Sequence, residues 1–328
     1  MENGYEPPFT MTEEIMNLVI EIGELAGQIS VYENLSMNPR LRRENRIKTI
    51  HSSLAIENNT LTIDQVTDVI EGKKVLAPPQ DIREVKNAYE AYEELQKMDP
   101  YSIKDLLKAH CYMMNGLIEE AGTFRSKNAG VYSGAKLIHA GTPANYVPDL
   151  MQQLFSWLKS SGMHPLVKAC IFHYEFEFIH PFADGNGRTG RLWHSLILQK
   201  WKSFFAWLPI ETMIHENQEG YYQAIHLSNT EGEATSFVEF MLRMIRDTLL
   251  EILESQKNRD KLKSGENSTL ESELLSLLAS NGKMSAKTAA EVLKVSQRQV
   301  ERCIAALKKA GKLERIGANR NGSWKVKL

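Results

Sequence analysis

The chain has 328 residues, with 39 basic and 41 acidic side chains, a formal charge of −2 and 42% hydrophobic residues. This length predicts about two domains, and this apolar fraction is typical of chains that bury a core, which excludes disorder as the dominant state. The longest uninterrupted apolar run, Phe204 to Ile210, is too short to cross a bilayer. The acidic start of the chain lacks the features of a signal peptide, and the three separated cysteines argue against a disulfide framework. We therefore expect a cytosolic protein with no membrane partner.

Apolar residues recur at helical spacing along most of the chain, which predicts a mainly α fold. Thr62-Ile-Asp-Gln65 matches the capping-box pattern of a helix start in full. Between Phe124 and Val147, β-branched and aromatic residues are interrupted by glycines and a proline, which favours a short β-hairpin. The predicted helices lie near residues 11–35, 40–56, 62–71, 81–98, 103–120, 149–160, 165–179, 187–201, 217–228 and 234–258.

A polar segment near the C-terminus predicts a boundary between two domains. Residues 258–269 (NRDKLKSGENST) are poor in bulky apolar side chains, which is typical of a linker. The sequence therefore predicts an N-terminal domain over residues 1–257 and a C-terminal domain over 270–328. The second domain begins with three predicted helices and ends with two alternating segments at 313–316 and 323–327, which is the element order of a small α+β winged-helix domain.

The C-terminal domain carries a charge that the whole chain conceals. From Lys283 onward, twelve basic and three acidic side chains give a formal charge of +9. Gln297, Arg298, Gln299 and Arg302 fall in the first two turns of the third predicted helix, where a recognition helix presents donors to DNA. A solvated basic surface on a docking or dimerisation domain explains the same charge equally well. DNA is therefore one of two open partners for this domain.

The segment from Phe176 to Leu192 (FEFIHPFADGNGRTGRL) is rich in polar and glycine residues. Its Gly185-x-Gly187-x-x-Gly190 spacing, with Glu211 downstream, matches a dinucleotide-binding fingerprint. That fingerprint needs a strand leading directly into the glycine turn, whereas here the flanks are predicted to be helical and a His-Pro pair intervenes. We reject the dinucleotide interpretation for this reason.

The same residues suit a different phosphate site. Backbone amides of Gly185-Asn186-Gly187 can approach an anion at the start of the following helix. Arg188 and Arg191 are three residues apart and project from one side of that helix, which suits a polyphosphate. Asp184 is a hard oxygen ligand suited to Mg²⁺, and His180 is the side chain of this cluster whose usual pKa suits proton abstraction near pH 7.

The twelve residues from His180 to Arg191 (HPFADGNGRTGR) resemble the complete signature of the Fic family, HxFx(D/E)GNGRxxR. The order of the surrounding elements also fits, so the resemblance covers about residues 40–245. It implies a Fic-fold helical domain with a β-hairpin flap. It also implies protein adenylylation, in which AMP passes from ATP to a Ser, Thr or Tyr hydroxyl of a target protein, or of the enzyme itself, and pyrophosphate leaves.

The resemblance also implies a role for each motif residue. His180 would take the proton from the target hydroxyl, and Asp184 would hold the Mg²⁺ that bridges the phosphates. Gly185-Asn186-Gly187 would hold phosphate oxygens, while Arg188 and Arg191 would bind the β- and γ-phosphate end. Phe182 would pack beneath the loop.

Two further regions resemble family binding elements. The flap residues Val131, Tyr132, Ser133 and Gly134 are similar to the family hairpin that pairs with an extended segment of the target protein. Tyr221, Tyr222 and Asn229 fall where family members line the adenine pocket. Core packing explains the two tyrosines equally well.

Ser53-Leu-Ala-Ile-Glu57-Asn58 resembles the inhibitory motif of the family, (S/T)xxxE(G/N). Ser53 and Glu57 are four residues apart and share a helix face, so the carboxylate has a fixed support. The resemblance implies that Glu57 pairs with Arg191 and obstructs the γ-phosphate. In some relatives the same glutamate supports AMP removal, so reverse activity stays open. A surface pair of side chains is the alternative interpretation.

The leading hypothesis is therefore an autoinhibited, Mg²⁺-dependent protein adenylyltransferase. A DNA-binding regulator whose Fic domain senses nucleotide is the alternative from another class, and a Fic enzyme that uses another nucleotide donor is a third. A homodimer is left open. The remaining eight histidines lack ligand spacing with one another and receive no role.

Overall fold

The computed structural model of the protein describes residues 5–31, 39–128, 130–133, 136–140, 142–316 and 323–327. Within these residues the fold is mainly helical, as the periodicity predicts. The helices are α1 (Glu13–Val31), α2 (Pro39–Ile56), α3 (Ile63–Ile70), α4 (Pro79–Glu94), α5 (Ile103–Met114), α6 (Val147–Ser160), α7 (Pro165–Ile179), α8 (Asn186–Trp201), α9 (Ile210–Glu216), α10 (Gln218–Glu231), α11 (Thr235–Ser280), α12 (Ala286–Leu293) and α13 (Gln297–Lys309). Two antiparallel hairpins join β1 (Gly130–Ser133) to β2 (Lys136–Ala140) and β3 (Leu313–Ile316) to β4 (Ser323–Val326).

The chain divides into two compact units, Met1–Glu251 and Ile252–Leu328. Helices α1 to α10 and the first hairpin belong to the first unit, and α12, α13 and the second hairpin belong to the second. In the described part of the chain, no helix combines the length and the apolar character that a membrane span requires.

Helices α7 and α8 form the centre of the first unit. Nearly every residue of α7 is buried, and so are Asn186 and residues 188–198 of α8. Phe172 of α7 and Phe155 of α6 meet edge to face with ring centroids 5.3 Å apart, and Trp193 of α8 packs against the same Phe155 ring. A helix without a polar face, such as α7, belongs in the interior. The short connection between these two helices, residues 180–185, is therefore held on a rigid base.

Helix starts carry the side-chain caps that the sequence predicts. The Thr62 hydroxyl accepts the Gln65 amide hydrogen at 3.3 Å, and the Gln65 side chain accepts the Thr62 amide hydrogen at 2.9 Å, which confirms the capping box. Such caps satisfy amide donors that have no partner inside the helix. The start of α3 is therefore fixed by local sequence.

The helix predicted over residues 103–120 ends at Met114. Leu117 and Ile118 continue the apolar spacing, but Gly116 adopts a positive φ of 68° that interrupts the helix. A Cβ at this position would lie 2.8 Å from Arg83 Nη1, the end of a flexible side chain, so the positive φ rather than this contact is what favours glycine here. The prediction missed α9, because Pro209 stands directly before it and was counted within an apolar run.

The predicted linker is the largest correction to the sequence-based organisation. Residues 258–269 are helical and continue α11, which runs without a break from Thr235 to Ser280. Apart from Gly265, the segment contains no strong helix breaker, and its charged and amide residues are compatible with a solvated helix. Polar composition alone therefore did not distinguish a linker from a helix.

The second unit has an apolar core of its own. Buried side chains from α11, α12, α13 and β3 meet there, and the stripe from α13 recurs at helical spacing. The Trp324 indole of β4 donates a hydrogen bond to the Met284 carbonyl at 3.2 Å and packs against this core. The buried members are Leu274, Leu278, Ala289, Ala290, Val300, Cys303, Ile304, Leu307 and Leu313.

Candidate active site

His180 lies at the junction between α7 and the loop that leads to α8. Its backbone is left-handed, with φ 54° and ψ 62°, and its amide donates to the Phe176 carbonyl at 2.9 Å as the C-cap of α7. A non-glycine residue in this conformation costs about 1–2 kcal/mol unless its surroundings fix it. The surrounding contacts therefore determine where the imidazole is presented.

The Asn186 side chain fastens the loop between the two helices. Its Oδ1 accepts the Phe182 amide hydrogen at 2.8 Å, and its Nδ2 donates to the Phe182 carbonyl at 2.9 Å. The side chain is buried and fully engaged by this pair of bonds. The sequence analysis gave the phosphate role to the backbone amide of Asn186, and the structure shows that its side chain shapes the loop.

Phe182 packs beneath the loop as the sequence predicts. Its ring is fully buried and stacks on His110 of α5, with centroids 3.6 Å apart and planes 4° from parallel. The Gly122 amide donates to His110 Nδ1 at 2.9 Å, so the other ring nitrogen carries the proton and donates to the Asp184 carbonyl at 2.9 Å. Burial lowers the pKa of His110 to about 4, which keeps the ring neutral in this role.

Asp184 and Arg188 lie at the mouth of the site. The Asp184 carboxylate is 59% exposed, and one of its oxygens accepts hydrogen bonds from the Gly185 amide at 2.6 Å and from Arg188 Nη2 at 3.2 Å. Arg188 is buried and its Nη1 lies 3.4 Å from Glu84 Oε1 of α4. The arginine is therefore held between two carboxylates, one exposed and one buried.

Arg191 is the most enclosed charge of the site and binds both residues of the predicted inhibitory motif. Its Nη2 donates to Glu57 Oε1 at 2.8 Å and to the Ser53 carbonyl at 2.9 Å, while Nε donates to the Ser53 hydroxyl at 3.2 Å. Burial by itself would lower the pKa of Arg191, but the charge and hydrogen bond of Glu57, together with Tyr221 and Glu177, outweigh it and raise that pKa above its ordinary value. Ser53, Glu57 and Arg191 are thus brought together across more than 130 residues of sequence.

The carboxylate of Glu57 also lies over the beginning of α8. A Cβ atom built on Gly187 would collide with Glu57 Oε1 and would lie 3.0 Å from Arg191 Nη1. The first amides of a helix have no partner inside it and attract anions. Glu57 is therefore seated where an anionic ligand of α8 would bind, and Gly187 leaves the space that it needs.

The segment that carries Glu57 is fixed to the rest of the first unit. The Ser52 hydroxyl of α2 donates to the Thr212 hydroxyl of α9 at 3.1 Å, and the Gln218 side chain of α10 donates to the Ile56 carbonyl at 3.2 Å. Asn58, directly after Glu57, turns the chain with a φ of 67°. These contacts hold the end of α2 in place.

The flap is present as an antiparallel hairpin. Val131 pairs with His139, Tyr132 with Leu137 and Ser133 with Lys136, with an irregularity between Val131 and Tyr132. Gly134, the fourth flap residue named by the sequence, lies outside the described residues. The hairpin lies between α5 and α6 in the chain, as the sequence predicts.

The three residues assigned to an adenine pocket have different surroundings. Tyr221 is buried, and its hydroxyl lies 3.1 Å from His173 Nε2 in the core. Tyr222 is 49% exposed, and the Asn229 side chain accepts the Tyr174 hydroxyl at 3.0 Å. The surroundings of Tyr221 favour the core-packing alternative for that residue.

Near Arg191 lies a carboxyl, 13% exposed, that the sequence analysis did not single out. Glu177 Oε1 lies 3.8 Å from His173 Nε2, and a Cβ atom on Gly190 would approach it to 2.8 Å. Burial raises the pKa of Glu177 to about 7, with Arg191 opposing the shift and Glu57 adding to it. Its position three residues before His180, on the helix predicted over 165–179, was the available signal.

Other supporting residues were also missed, for an identifiable reason. His110 was set aside because it lacks ligand spacing with other histidines, and Glu84 and Arg125 belong to no motif. Each acts through a contact with a residue far away in the chain. His110 contacts Asp184 at a separation of 74 positions, Glu84 contacts Arg188 at 104, and Arg125 contacts His180 at 55. Pairings of this kind leave no local pattern in one sequence.

Residues 100–198, which hold this loop and most of its supports, match the Fic/DOC family. A crystal structure of a Fic family protein from Desulfovibrio desulfuricans G20 is 42% identical, has a TM-score of 0.75, and each chain covers 98% of the other. The chain belongs to the Fic family. The mainly helical first unit accordingly has the Fic fold.

Curated relatives of this Fic protein carry an activity in their names. "Protein adenylyltransferase Fic" of Drosophila ananassae is 30% identical over 231 residues, which cover 67% of this chain and 44% of that protein. "Protein adenylyltransferase fic-1" of Caenorhabditis elegans is 28% identical over 237 residues, which cover 68% and 44%. The chain thus spans less than half the length of these two relatives.

Proposed function

We propose that this Fic protein is an autoinhibited protein adenylyltransferase that transfers AMP from ATP to a hydroxyl of a target protein. The observation that carries the proposal is the Glu57 carboxylate, which lies on Arg191 and over Gly187 at the start of α8. A chain that places its own anion on a cationic helix start has a site built for a larger anion. The names of the relatives support AMP as the transferred group.

His180 is assigned the role of the base. In the reaction, the target oxygen forms a bond to the α-phosphorus of ATP while the bond from that phosphorus to the bridging oxygen of pyrophosphate breaks. The hydroxyl proton passes to the His180 imidazole and then to solvent. A base that must be neutral before it accepts a proton loses activity as the pH falls through its pKa.

We assign the groups around the start of α8 to binding of the ATP phosphates. Backbone amides of Gly185, Asn186 and Gly187 would hold phosphate oxygens, with Arg188 and Arg191 neutralising the β and γ end. Phosphoryl-type transfer depends mainly on alignment and charge neutralisation, and these groups are already fixed by the loop bonds described above. Little reorganisation is then needed beyond removal of Glu57.

Asp184 fits a Mg²⁺ ion that also binds the substrate. Its carboxylate is exposed at the mouth, and only one of its oxygens is engaged in the hydrogen bonds described above. No group of three or more ligand-type side chains suited to a metal occurs among the described residues, so phosphate oxygens would complete the coordination. When bound, Mg²⁺ would neutralise charge that develops on the phosphates.

Glu57 is assigned the role of an inhibitor, with Ser53 as its support. The Ser53 hydroxyl and carbonyl hold Arg191 in the position in which Glu57 can bind it. An ATP γ-phosphate that seeks the same guanidinium must displace the carboxylate. AMP removal is the alternative reaction of this site, because a carboxylate at this place can also orient water.

The test uses the purified full chain with α-labelled ATP and, separately, γ-labelled ATP, the chain itself and lysate proteins serving as acceptors. We compare the wild type with Glu57→Gly and His180→Ala. We expect label from the α position alone, increased by Glu57→Gly and abolished by His180→Ala. Binding of ATP without any α-label in all three proteins would overturn the assignment and favour nucleotide sensing or another donor.

We assign the flap to binding of the target protein. A two-stranded hairpin with a free edge can add an extended peptide by main-chain hydrogen bonds. Val131, Tyr132, Ser133 and Gly134 would form that edge. The homodimer and the cytosolic location remain predictions from the sequence.

For the C-terminal unit we propose a winged-helix module over residues 270–328 that binds duplex DNA. The exposed side of α13 carries Arg298, Arg302 and Lys309, and its opposite side is the buried core stripe. Gln299 is less suited to base contacts than its position suggested, because its Oε1 accepts the Ser296 amide at 3.0 Å and the Ser296 hydroxyl at 2.8 Å. Phosphate contact by the arginines is the better-supported mode.

An electrophoretic shift of the full chain with random duplex DNA over a salt series tests this second proposal. Binding that weakens steeply as salt rises supports contact with phosphates. Absence of a shift at low salt would refute DNA contact and leave protein docking as the function of the unit. Arg298→Gln with Arg302→Gln should reduce the salt dependence.

A further inference from the structure

Arg125 is a buried arginine whose guanidinium donates hydrogen bonds to main-chain carbonyls. It is 3% exposed and lies between α5 and the flap. Its Nε donates to the His180 carbonyl at 2.7 Å, and its Nη2 donates to the Ile179 carbonyl at 3.3 Å and to the Thr142 carbonyl. Its Nη1 donates to the Lys127 carbonyl at 3.0 Å. Among the described residues, no carboxylate forms an ion pair with it.

Two of these carbonyls belong to the end of α7. The last carbonyls of a helix have no partner inside it and carry the negative end of the helix dipole. The guanidinium satisfies those of Ile179 and His180, and the Arg125 amide donates to the Pro181 carbonyl at 3.0 Å. Arg125 therefore holds the backbone on both sides of the left-handed residue that presents the imidazole.

The other two carbonyls belong to the two ends of the flap. Lys127 lies three residues before β1, and Thr142 lies two residues after β2. The same two ends are joined again where the Ala144 amide donates to Asn128 Oδ1 at 2.9 Å. One side chain thus connects both stems of the hairpin to the backbone of His180.

We propose that Arg125 is a positioning residue that holds the flap and His180 in one fixed frame. The proposal rests on the proposed function, in which the flap carries the target segment and His180 takes its proton. A displacement of about 1 Å between reacting groups can lower a rate by about 100-fold. A planar guanidinium with five donors can serve four carbonyls at once, whereas a lysine ammonium has three donors at a single point.

The test introduces Arg125→Lys into the Glu57→Gly protein, with Arg40→Lys as the matched control. Arg40 is exposed and pairs with Glu44 one turn away, so its replacement keeps charge and size without touching the site. We measure the affinity for ATP with Mg²⁺ by calorimetry, and the initial rate of α-label incorporation into lysate proteins at saturating ATP. Amide hydrogen exchange is followed in the flap strands, at Ile179 and His180, and in α8.

A positioning role predicts a specific signature. In Arg125→Lys we expect an ATP affinity within about twofold of the parent, because the protein groups that bind the phosphates are not displaced. We expect the rate of transfer to be about 100-fold lower. Exchange should accelerate together in the flap strands and at Ile179 and His180, while exchange in α8 is unchanged. An unchanged rate, or an equal loss of ATP affinity and rate, would overturn the proposal.

A second variant and a measurement that does not depend on transfer activity distinguish failure of this inference from failure of the proposed function. If Arg125→Lys fails to fold, Asn128→Ala loosens the flap stems alone and should show the same signature with a smaller effect; a full rate in that variant would count against the proposal. If the Glu57→Gly parent itself incorporates no label, the proposed function fails. The exchange measurement then still decides whether Arg125 couples the flap to Ile179 and His180.

Discussion

The contact between Glu57 and Arg191 makes a quantitative prediction about ATP binding. The two charged atoms are 2.8 Å apart, with Arg191 2% exposed and Glu57 32% exposed. Hydrogen bonds to charged groups contribute about 1.5–3 kcal/mol to the free energy of an interaction. Because Glu57 is partly exposed, we place this pair in the lower half of that range, at about 1.5–2 kcal/mol. ATP must overcome this free energy before its phosphates reach Arg191.

Removal of the carboxylate charge should therefore strengthen ATP binding. At about 1.4 kcal/mol for each factor of ten, Glu57→Gln should bind ATP about 10- to 30-fold more tightly than the wild type. Glu57→Gly should exceed this, because it also removes the amide that could still bind Arg191 and opens the space over Gly187. Both variants should incorporate more α-label.

The same change should destabilise the free protein. Arg191 keeps its bonds to Ser53, but it loses the charge that compensates its burial. We expect Glu57→Gln to lower the free energy of unfolding by about 1–2 kcal/mol. ATP should reverse this loss, since its phosphates replace the missing charge.

Calorimetric titration with ATP and Mg²⁺, combined with urea unfolding, measures both quantities. Glu90→Gln is the control, because Glu90 is an exposed glutamate of α4 and its replacement changes the net charge by the same amount. An unchanged ATP affinity in Glu57→Gln would refute the reasoning. An equal gain in ATP affinity in Glu90→Gln would show that the net charge of the protein, rather than the position of Glu57 at the start of α8, controls binding.

Three further predictions concern supporting residues. His110→Ala removes the ring stacked on Phe182 and should lower the free energy of unfolding by about 2–4 kcal/mol in urea titration; an unchanged midpoint would contradict the stack. Because burial raises the pKa of Glu177 from 4.5 to about 7, the folded state holds its proton more tightly than the unfolded chain, so stability should fall by about 1.4 kcal/mol per pH unit as pH rises between these values. Glu177→Gln should flatten that decline, and a slope identical to the wild type would refute it. Ile304→Ala should cost about 2–4 kcal/mol in the unfolding of the C-terminal unit and leave AMP transfer unchanged; a loss of transfer in the folded variant would contradict this independence.

Local sequence determined the elements that depend on neighbours in the chain. The capping box at Thr62, the mainly helical class and the hairpin between Phe124 and Val147 all follow from residue types within a few positions of one another. The motif from His180 to Arg191 was readable for the same reason, because its glycines, arginines and carboxylate lie on one loop and one helix turn.

Tertiary structure decided the features that depend on distant residues or on competing local signals. Residues 258–269 are polar enough for a linker, yet they continue α11, because charged and amide side chains are compatible with a solvated helix as well as with a coil. The Asn186 side chain closes the loop through its bonds to Phe182, and Tyr221 lies in the core. No spacing in the sequence distinguishes these outcomes.

The supports of the site also required the folded chain. His110 reaches Asp184, and Arg125 reaches His180, across separations of 74 and 55 residues. The sequence placed Glu57 on the same helix face as Ser53, but the fold brought both onto Arg191, 134 residues away from Glu57. Residue chemistry within a motif is a local property, whereas the burial and partners that adjust it arise only when the whole chain is packed.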